Sequence, residues 1–352
     1  MEKRRVFVGL SGGVDSSVAA KRLLERGYDV TGVFIKTWQP DFIPCTWEEE
    51  RRDAMRVAAH LGIPFLTCDA EAAYRDEVAA YMIREYAAGR TPNPDVMCNK
   101  FVKFGAFLAF ARAHGVNTVA TGHYARMEKR GDTDVLLRGV DTEKDQSYFL
   151  WTLTEEQRAS ILFPIGDTKK SSIRTEATAA GLPTATKADS QGICFLGEID
   201  MKEFLSRHIT TKPGTVLSVD GNAIGTHEGA LLYTIGERHG FTVTDPAYKA
   251  VPQFVIAKDT AANTITVAPE ITRTTGKRIV LENVHWIGAP VSGESEAQFR
   301  YRQKPFRVQS TISHNTVTLT VLDAVDTPSV GQSCVFYDGD LCKGGGIISS
   351  VE

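Results

Sequence analysis

Nine residues near the start of the chain, Gly9-Leu10-Ser11-Gly12-Gly13-Val14-Asp15-Ser16-Ser17, constrain its fold more than any others. They close a short β-branched run, Val6 to Leu10, and open a helical pattern, Val14 to Arg26, that Gly27 stops. Glycines at a strand-to-helix turn let the backbone approach a phosphate closely. The helix start adds unpaired N–H groups and the positive end of the dipole. The hydroxyls of Ser11, Ser16 and Ser17 are further donors, and Asp15 is placed to hold Mg²⁺ beside the phosphates. The plainer alternative is a Gly/Ser turn that only caps a helix. The run is neither GxxxxGK[ST], whose lysine it lacks, nor GxGxxG. A loop without that lysine suits a leaving pyrophosphate better than γ-phosphate transfer.

Alternation continues after the loop. Val30 to Ile35, Phe65 to Cys68 and Thr118 to Thr121 read as strands. Trp47 to Leu61 and Phe101 to His114 read as helices, closed by Gly62 and Gly115. That order predicts an α/β fold with a parallel sheet and a ligand at the carboxyl ends of its strands. Thr154 to Leu162 and Ser171 to Gly181 read as further helices, which carries this first domain over residues 1–207. Short β segments separated by Gly, Pro, Asn and Asp follow, a small β-rich central domain over 208–275. Residues 276–352 are wholly β in pattern, which suggests a small barrel or sandwich.

The 352 residues exceed what one core usually serves. No uncharged apolar run approaches the roughly 18 residues of a membrane span, and MEKRRVFVGL is too short in apolar residues for a signal peptide. Cytoplasmic residence without membrane attachment is the expectation. A net charge of −3 neither demands nor excludes nucleic acid, since binding depends on local patches. The six cysteines form no CxxC pair and no zinc-spaced cluster, so no structural metal site is expected.

Two cysteines stand in unusual contexts. Cys98 lies in Thr91-Pro92-Asn93-Pro94-Asp95-Val96-Met97-Cys98-Asn99-Lys100, a proline-fixed turn leading into a helix that Asn93 or Asp95 can cap. In the first turn of that helix the dipole, Lys100 and Lys103 favour a thiolate, though a buried cysteine is the commoner fate. Cys194 lies between Gly192 and Gly197, in a loop that suits a travelling sulfur. Packing is the expectation for Cys45, Cys68, Cys334 and Cys342. Near the end of the chain, Arg300, Arg302, Lys304 and Arg307 share a window with Tyr301, Phe306 and no acidic residue. That mix suits an RNA backbone and stacked bases, although a solvated basic face would read the same.

The SGGVDSS run resembles the loop of the PP-loop ATP pyrophosphatases, which split ATP between the α- and β-phosphates and attach AMP to a carbonyl-type oxygen. TPNPDVMCN (91–99), ATGHYA (120–125), KDQSYFL (144–150), GICFLG (192–197), FRYRQ (299–303) and GGGII (344–348) extend the likeness over essentially the whole chain. Together they resemble the tRNA-specific 2-thiouridylase family. The resemblance implies a PP-loop domain, a β-rich central domain and a C-terminal β-barrel. It implies ATP and Mg²⁺ as cofactors and adenylation of the C2 oxygen of wobble uridine 34. Sulfur transfer then gives 2-thiouridine, AMP and pyrophosphate. By the same resemblance Cys194 carries a persulfide, Cys98 is the nucleophile, and the two can close a Cys98–Cys194 disulfide. Asp95 is implied as acid/base, and Asn93, Pro94 and Asp95 as contacts of the target base. Gly9 to Ser17, Ile35 and Gly122 match nucleotide-binding positions. Lys144, Asp145, Gln146, Arg300 and Tyr301 match tRNA-binding positions, where a solvated helix start is the plainer reading of the first three. The implied partners are tRNAs with Lys, Glu or Gln anticodon loops, and a sulfur donor such as a cysteine desulfurase or sulfur-relay protein. His123 either contacts nucleotide or only caps a loop.

Two stretches depart from the family pattern: QPDFIP after Trp38, and FTVTDPAYKAVPQF after Gly240. Rival readings are a 4-thiouridine or 2-thiocytidine synthetase, a tRNA-binding protein on a dead ATP fold, and a small-molecule amide synthetase. The first two enzymes usually bring extra N-terminal domains or CxxC pairs, and the third needs neither cysteine.

Overall fold

The strand before the glycine-rich run spans Arg5–Gly9, with Val6, Phe7 and Val8 buried. It is the middle of a five-stranded parallel sheet in a computed structural model that describes residues 3–42, 47–189, 192, 194–195, 200–314 and 316–352. The sheet order is Phe65–Asp69, Asp29–Lys36, Arg5–Gly9, Val119–Ala120, Ile161–Leu162. Chain order reverses at Arg5–Gly9, whose neighbours are the second strand on one side and the fourth on the other. The crevice beyond the carboxyl ends of these two strands is where such sheets bind ligands. The loop 10–13 and Gly122 both sit there.

The expected helices Val14–Glu25 and Trp47–Leu61 are present, as is Lys170–Ala179. Two expectations change. Thr154 does cap a helix, through a reciprocal bond with Gln157, but that helix ends at Arg158. Ile161–Leu162 is instead the fifth parallel strand, paired with Val119 and Ala120. The helix expected from Phe101 begins at Pro94, passes through a π-helical stretch Cys98–Ala106, and ends as Phe107–Ala113. The strand Gly293–Gln298 is followed by a turn in which Arg302 adopts φ 62.

The last part of the chain closes into a six-stranded antiparallel barrel, sealed where Arg278–Trp286 pairs with Leu341–Val351. A hairpin from the first part, Ala125–Arg130 with Thr133–Arg138, extends the same sheet through Leu137 and Leu341. The segments from Gly214 to Ala268 form a separate five-stranded sheet. The largest core is shared: Phe104, Phe107, Tyr148 and Trp151 pack with Val335 and Tyr337 of the barrel. Tyr148 Oη donates to the carbonyls of Phe299 and Ser333, both at 2.9 Å. The α/β unit and the barrel are thus two halves of one hydrophobic body. Among the described residues no helix is long and apolar enough to cross a membrane.

Candidate active site

The glycine-rich loop is built as an open cradle. Gly12 takes φ +70, and a Cβ there would meet the Glu50 carbonyl at 2.7 Å, so only glycine fits. Gly13 is the N-cap of Val14–Glu25, and no side chain caps that end. The first N–H groups of the helix therefore remain available to an anion. Ser16 Oγ accepts from the Ser11 N–H at 3.3 Å and donates to the Gly13 carbonyl at 3.2 Å, which holds the loop in shape. Ser17 is fully buried, donates to the Gly13 carbonyl at 2.7 Å and contacts Thr184 Oγ1 at 3.0 Å. It stabilises the turn from behind and does not line the cleft.

A cavity of about 540 Å³ opens from this cradle. Gly9, Leu10, Ser11, Gly13, Val14, Asp15 and Ser16 line it, with Ile35 and Gly122. Asp95 and Cys194 line the same cavity, and Lys144, Gln146 and Tyr301 also reach the wall. One space therefore joins the phosphate cradle to a cysteine. Asn93, Pro94, Cys98, Asp145 and Arg300 lie off the wall. Asn93 caps the Pro94–Met97 turn by accepting from the Val96 N–H at 3.3 Å, with Pro94 at the first helical position. Asp145 accepts from the N–H groups of Gly139 and Ser147 and pairs with Arg138 at 3.1 Å. Arg300 donates to the Ile235 and Thr327 carbonyls at 3.1 and 3.3 Å, tying the barrel to the central sheet. Tyr301 stacks on Phe149 at 4.6 Å between centroids, an aromatic step beside the cavity.

The sulfurs of Cys98 and Cys194 stand 3.2 Å apart, in contact and unbonded. Cys98 is fully buried behind Cys194, and burial pushes its thiol well up. Cys194 moves the other way: the hydrogen bond from Cys98 outweighs burial, Lys103 adds to it, and the thiol falls below its ordinary value. The pull toward a thiolate that the sequence suggests for Cys98 is opposed there by burial, and the bond from Cys98 and nearby Lys103 act on Cys194 instead. Lys100 cannot help Cys98, because it is exposed and lies over the Phe101 ring at 4.8 Å. The Cys194 backbone is held from both sides. Its N–H donates to Asp95 Oδ1 at 3.0 Å, and its carbonyl accepts from Tyr74 Oη at 2.8 Å. Burial raises the Asp95 carboxyl, which suits a group that takes up a proton. The neighbours Ile193, Leu196 and Gly197 lie outside the described residues, as does Cys45. Cys68, Cys334 and Cys342 are buried, and desolvation pushes all three thiols up.

Lys170 and Asp189, both on the cavity wall, were given no role by the sequence. Lys170 Nζ bonds both Asp15 oxygens, at 2.6 and 2.8 Å, and Asp189 Oδ1 at 2.8 Å. Tyr124 Oη donates to Asp15 at 2.7 Å. Asp189 also receives Lys144 at 2.7 Å and Arg174 at 2.5 Å. Burial alone would raise the Asp189 carboxyl, but Lys144 and Lys170 outweigh it and hold it below the usual carboxylate range. His123 lies on the wall between Thr121 Oγ1, 2.7 Å from Nδ1, and Lys103 Nζ, 3.4 Å from Nε2. Burial drives it well below the usual histidine range, so the ring is neutral at pH 7. Among the described residues no group of three His, Cys, Asp or Glu gathers as a metal centre.

Three family models match in succession. Residues 4–198 match a tRNA methyl transferase HUP domain, 202–269 a tRNA methyl transferase PRC-barrel domain, and 276–348 an aminomethyltransferase beta-barrel domain. Among curated proteins, the chain is 44% identical to a tRNA-specific 2-thiouridylase MnmA of Listeria welshimeri, over 99% of this chain and 95% of that one. It is 44% identical to the protein of that name from Bacillus pumilus, over 99% and 96%. The corresponding protein of Stenotrophomonas maltophilia is 45% identical, over 100% and 95%. At that identity, across nearly the full length of each relative, the chain belongs to the tRNA-specific 2-thiouridylase family.

Proposed function

We propose that this chain is a tRNA 2-thiouridylase that uses ATP to adenylate the C2 oxygen of wobble uridine 34 and then replaces that oxygen with sulfur. One observation carries the reading: a single cavity runs from an uncapped, glycine-rich helix start to a cysteine sulfur in contact with a second cysteine. A phosphate cradle alone would fit any ATP pyrophosphatase. The paired sulfurs favour sulfur transfer over the methyl transfer in the descriptions of two of the matching family models.

The steps follow from the groups present. ATP is substrate, with its phosphates over loop 9–17. Uracil O2 attacks the α-phosphorus, pyrophosphate leaves, and the N3 proton passes to Asp95. Carbonyl oxygen is a poor leaving group, and adenylation converts it to AMP. Mg²⁺, held by Asp15, would neutralise charge on the leaving pyrophosphate. Lys170, already on Asp15, supplies part of that charge from the chain itself. Cys194 receives a sulfane sulfur as a persulfide from a donor such as a cysteine desulfurase or sulfur-relay protein. The deprotonated Cys98 sulfur attacks the Cys194 sulfur, hydrosulfide leaves, and a Cys98–Cys194 disulfide forms. The two thiols supply the two electrons that reduce the sulfane sulfur, and an external thiol reductant restores them. Hydrosulfide adds to C2 and AMP departs. Asn93, Pro94, Lys144, Asp145, Gln146, Arg300 and Tyr301 complete the base and tRNA contacts, some through the wall and some from behind it. The substrates are tRNAs with Lys, Glu and Gln anticodon loops, in the cytoplasm.

The test uses purified protein, ATP, Mg²⁺, a protein persulfide donor and tRNA with an unmodified wobble uridine. Nucleoside mass spectrometry should find 2-thiouridine. Cys98→Ser and Cys194→Ser should each abolish it while ATP binding survives. Full turnover in both variants would refute the two-cysteine route. No 2-thiouridine from the intact protein with any persulfide donor would refute the function.

A further inference from the structure

Lys103 stands five residues beyond Cys98. In an α-helix that spacing turns a side chain about 140° away from its neighbour. The stretch Cys98–Ala106 is π-helical, so one hydrogen-bonded turn spans five residues and brings Lys103 back over Cys98. Its side chain lines the cavity beside Cys194 and Asp95. The ammonium lies 5.6 Å from the Phe195 ring centroid and 3.4 Å from His123 Nε2. His123 accepts there, and its Nδ1–H donates to Thr121 Oγ1, so it orients the ammonium without neutralising it. Among the described residues no carboxylate comes within ion-pairing distance of Lys103. Burial works against its charge, but the Cys194 and Cys98 sulfurs, with Asp95, more than offset that and raise its pKa. Tyr74, the remaining titratable group at the pair, stays protonated and bonds the Cys194 carbonyl.

We propose that Lys103 is the positioning cation of the sulfur relay, set by the π-turn in the cavity wall where it favours negative charge on Cys194 Sγ, the one of the two cysteines that lines the cavity. An anionic Cys194 is the sulfur that can accept. It attacks the outer sulfur of a protein persulfide R–S–SH, gives Cys194–S–SH, and expels R–S⁻, so atoms and charge balance. The same ammonium then faces the terminal persulfide sulfur, while Cys98 keeps its proton until transfer begins. The inference takes its meaning from the sulfur-transfer reading, but its measurement needs neither tRNA nor ATP.

The test is the pH profile of Cys194 alkylation by iodoacetamide, read peptide by peptide by mass spectrometry so that Cys98 is scored apart. In the wild-type protein the midpoint should fall below the ordinary thiol value of about 8.5. Lys103→Met should raise it by about 1–3 pH units, the usual effect of losing an opposite charge at close range. Lys103→Arg, which keeps the charge, should hold it near the wild-type value. Persulfide loading of Cys194 at pH 7 should fall about tenfold or more in Lys103→Met and recover in Lys103→Arg. A wild-type midpoint at or above 8.5 overturns the proposal with no variant needed. So does an unmoved midpoint in a Lys103→Met protein that keeps its thermal transition, or an equal shift in both variants. Loss of 2-thiouridine alone, with the predicted midpoints intact, would count against the tRNA reaction and not against Lys103.

Discussion

Gly122 is the position at which the smallest change should do the most to adenylation. It follows strand Val119–Ala120 and lies flat against the start of helix Val14–Glu25. A Cβ added there would stand 2.7 Å from the Ser16 amide nitrogen, 2.8 Å from the Asp15 carbonyl carbon and 3.1 Å from Asp15 Cβ. Two of these three atoms are backbone, so no side-chain rotation relieves the contact. Restoring an ordinary separation requires the helix start to retreat by about 0.7 Å. That shift carries Ser11, Gly13 and Asp15 with it, and misplacing catalytic groups by about 1 Å can cost on the order of 100-fold in rate. Gly122→Ala should therefore slow tRNA-dependent pyrophosphate release roughly 10–100-fold and weaken ATP binding. Overpacking of this kind also costs about 1–3 kcal/mol of stability. The assay is pyrophosphate release against ATP concentration, with calorimetric ATP titration and Cys194 persulfide loading as the remote control. Loading should stay near wild type, because the nearest atoms a Cβ at Gly122 meets belong to Asp15 and Ser16, whereas Cys194 is held by Asp95 and Tyr74. A Gly122→Ala protein with unchanged KM and kcat would show that the loop does not cradle the phosphates as argued.

Three further outcomes are expected. Lys170→Met leaves Asp15 and Asp189 without their shared cation, and AMP formation should drop about 100–1000-fold, as for other preorganised charge partners; turnover within threefold of wild type would exclude that role. Tyr74→Phe removes the bond to the Cys194 carbonyl, worth about 1 kcal/mol, so thiolation should slow about fivefold with KM for ATP unchanged. An unchanged thiolation rate would mean that Asp95 alone holds the loop. Asp189 is held low by Lys144 and Lys170, so its contribution to stability is complete above the unfolded carboxylate value near 4 and is lost as pH falls toward its folded value. Acid titration of unfolding should thus show a loss below about pH 4 that is smaller in Lys144→Met, and equal slopes in both proteins would contradict the sign.

Much of this site was legible in the chain, and the exceptions have physical causes. The loop and four parallel strands announced themselves because each is local: a β-branched run, then glycine, then a 3.6-residue pattern. Ile161–Leu162 was hidden because its two residues follow a strong helix-start signal at Thr154 and Gln157, and only the sheet edge turns them into a strand. The hairpin Ala125–Arg130 and Thr133–Arg138 was hidden because its partner strand lies some 200 residues downstream. Cys98 and Cys194 were picked out by their neighbours, and a thiolate was expected at Cys98, but the burial that raises the Cys98 thiol and the bond it gives Cys194 come from the fold. Lys103 was counted among the neighbours of Cys98, but that its side chain lines the cavity with Cys194 follows from the π-helical stretch Cys98–Ala106 and the fold. Tyr74, Lys170 and Asp189 stand in no local pattern at all, and only the folded chain brings them to the cavity or to the loop that carries Cys194.

The turn that begins the Pro94–Met97 helix is fastened by the barrel. Val330 accepts from the Thr91 N–H at 2.8 Å, and Gln332 donates to the carbonyls of Thr91 and Pro92 at 2.9 and 3.1 Å. These partners are 241 residues apart from Thr91 in the chain in the case of Gln332. At about 5–20 residues per second, a ribosome needs roughly 12–48 seconds to make that span. Throughout that interval the nascent chain has its phosphate loop and Cys98 but not the bonds that fasten the turn before Cys98. The order of synthesis thus leaves the turn before Cys98 unfastened until the last strands arrive. Ribosome-bound chains stalled at residue 320 should leave Cys98 open to alkylation, and chains long enough to expose Gln332 should protect it.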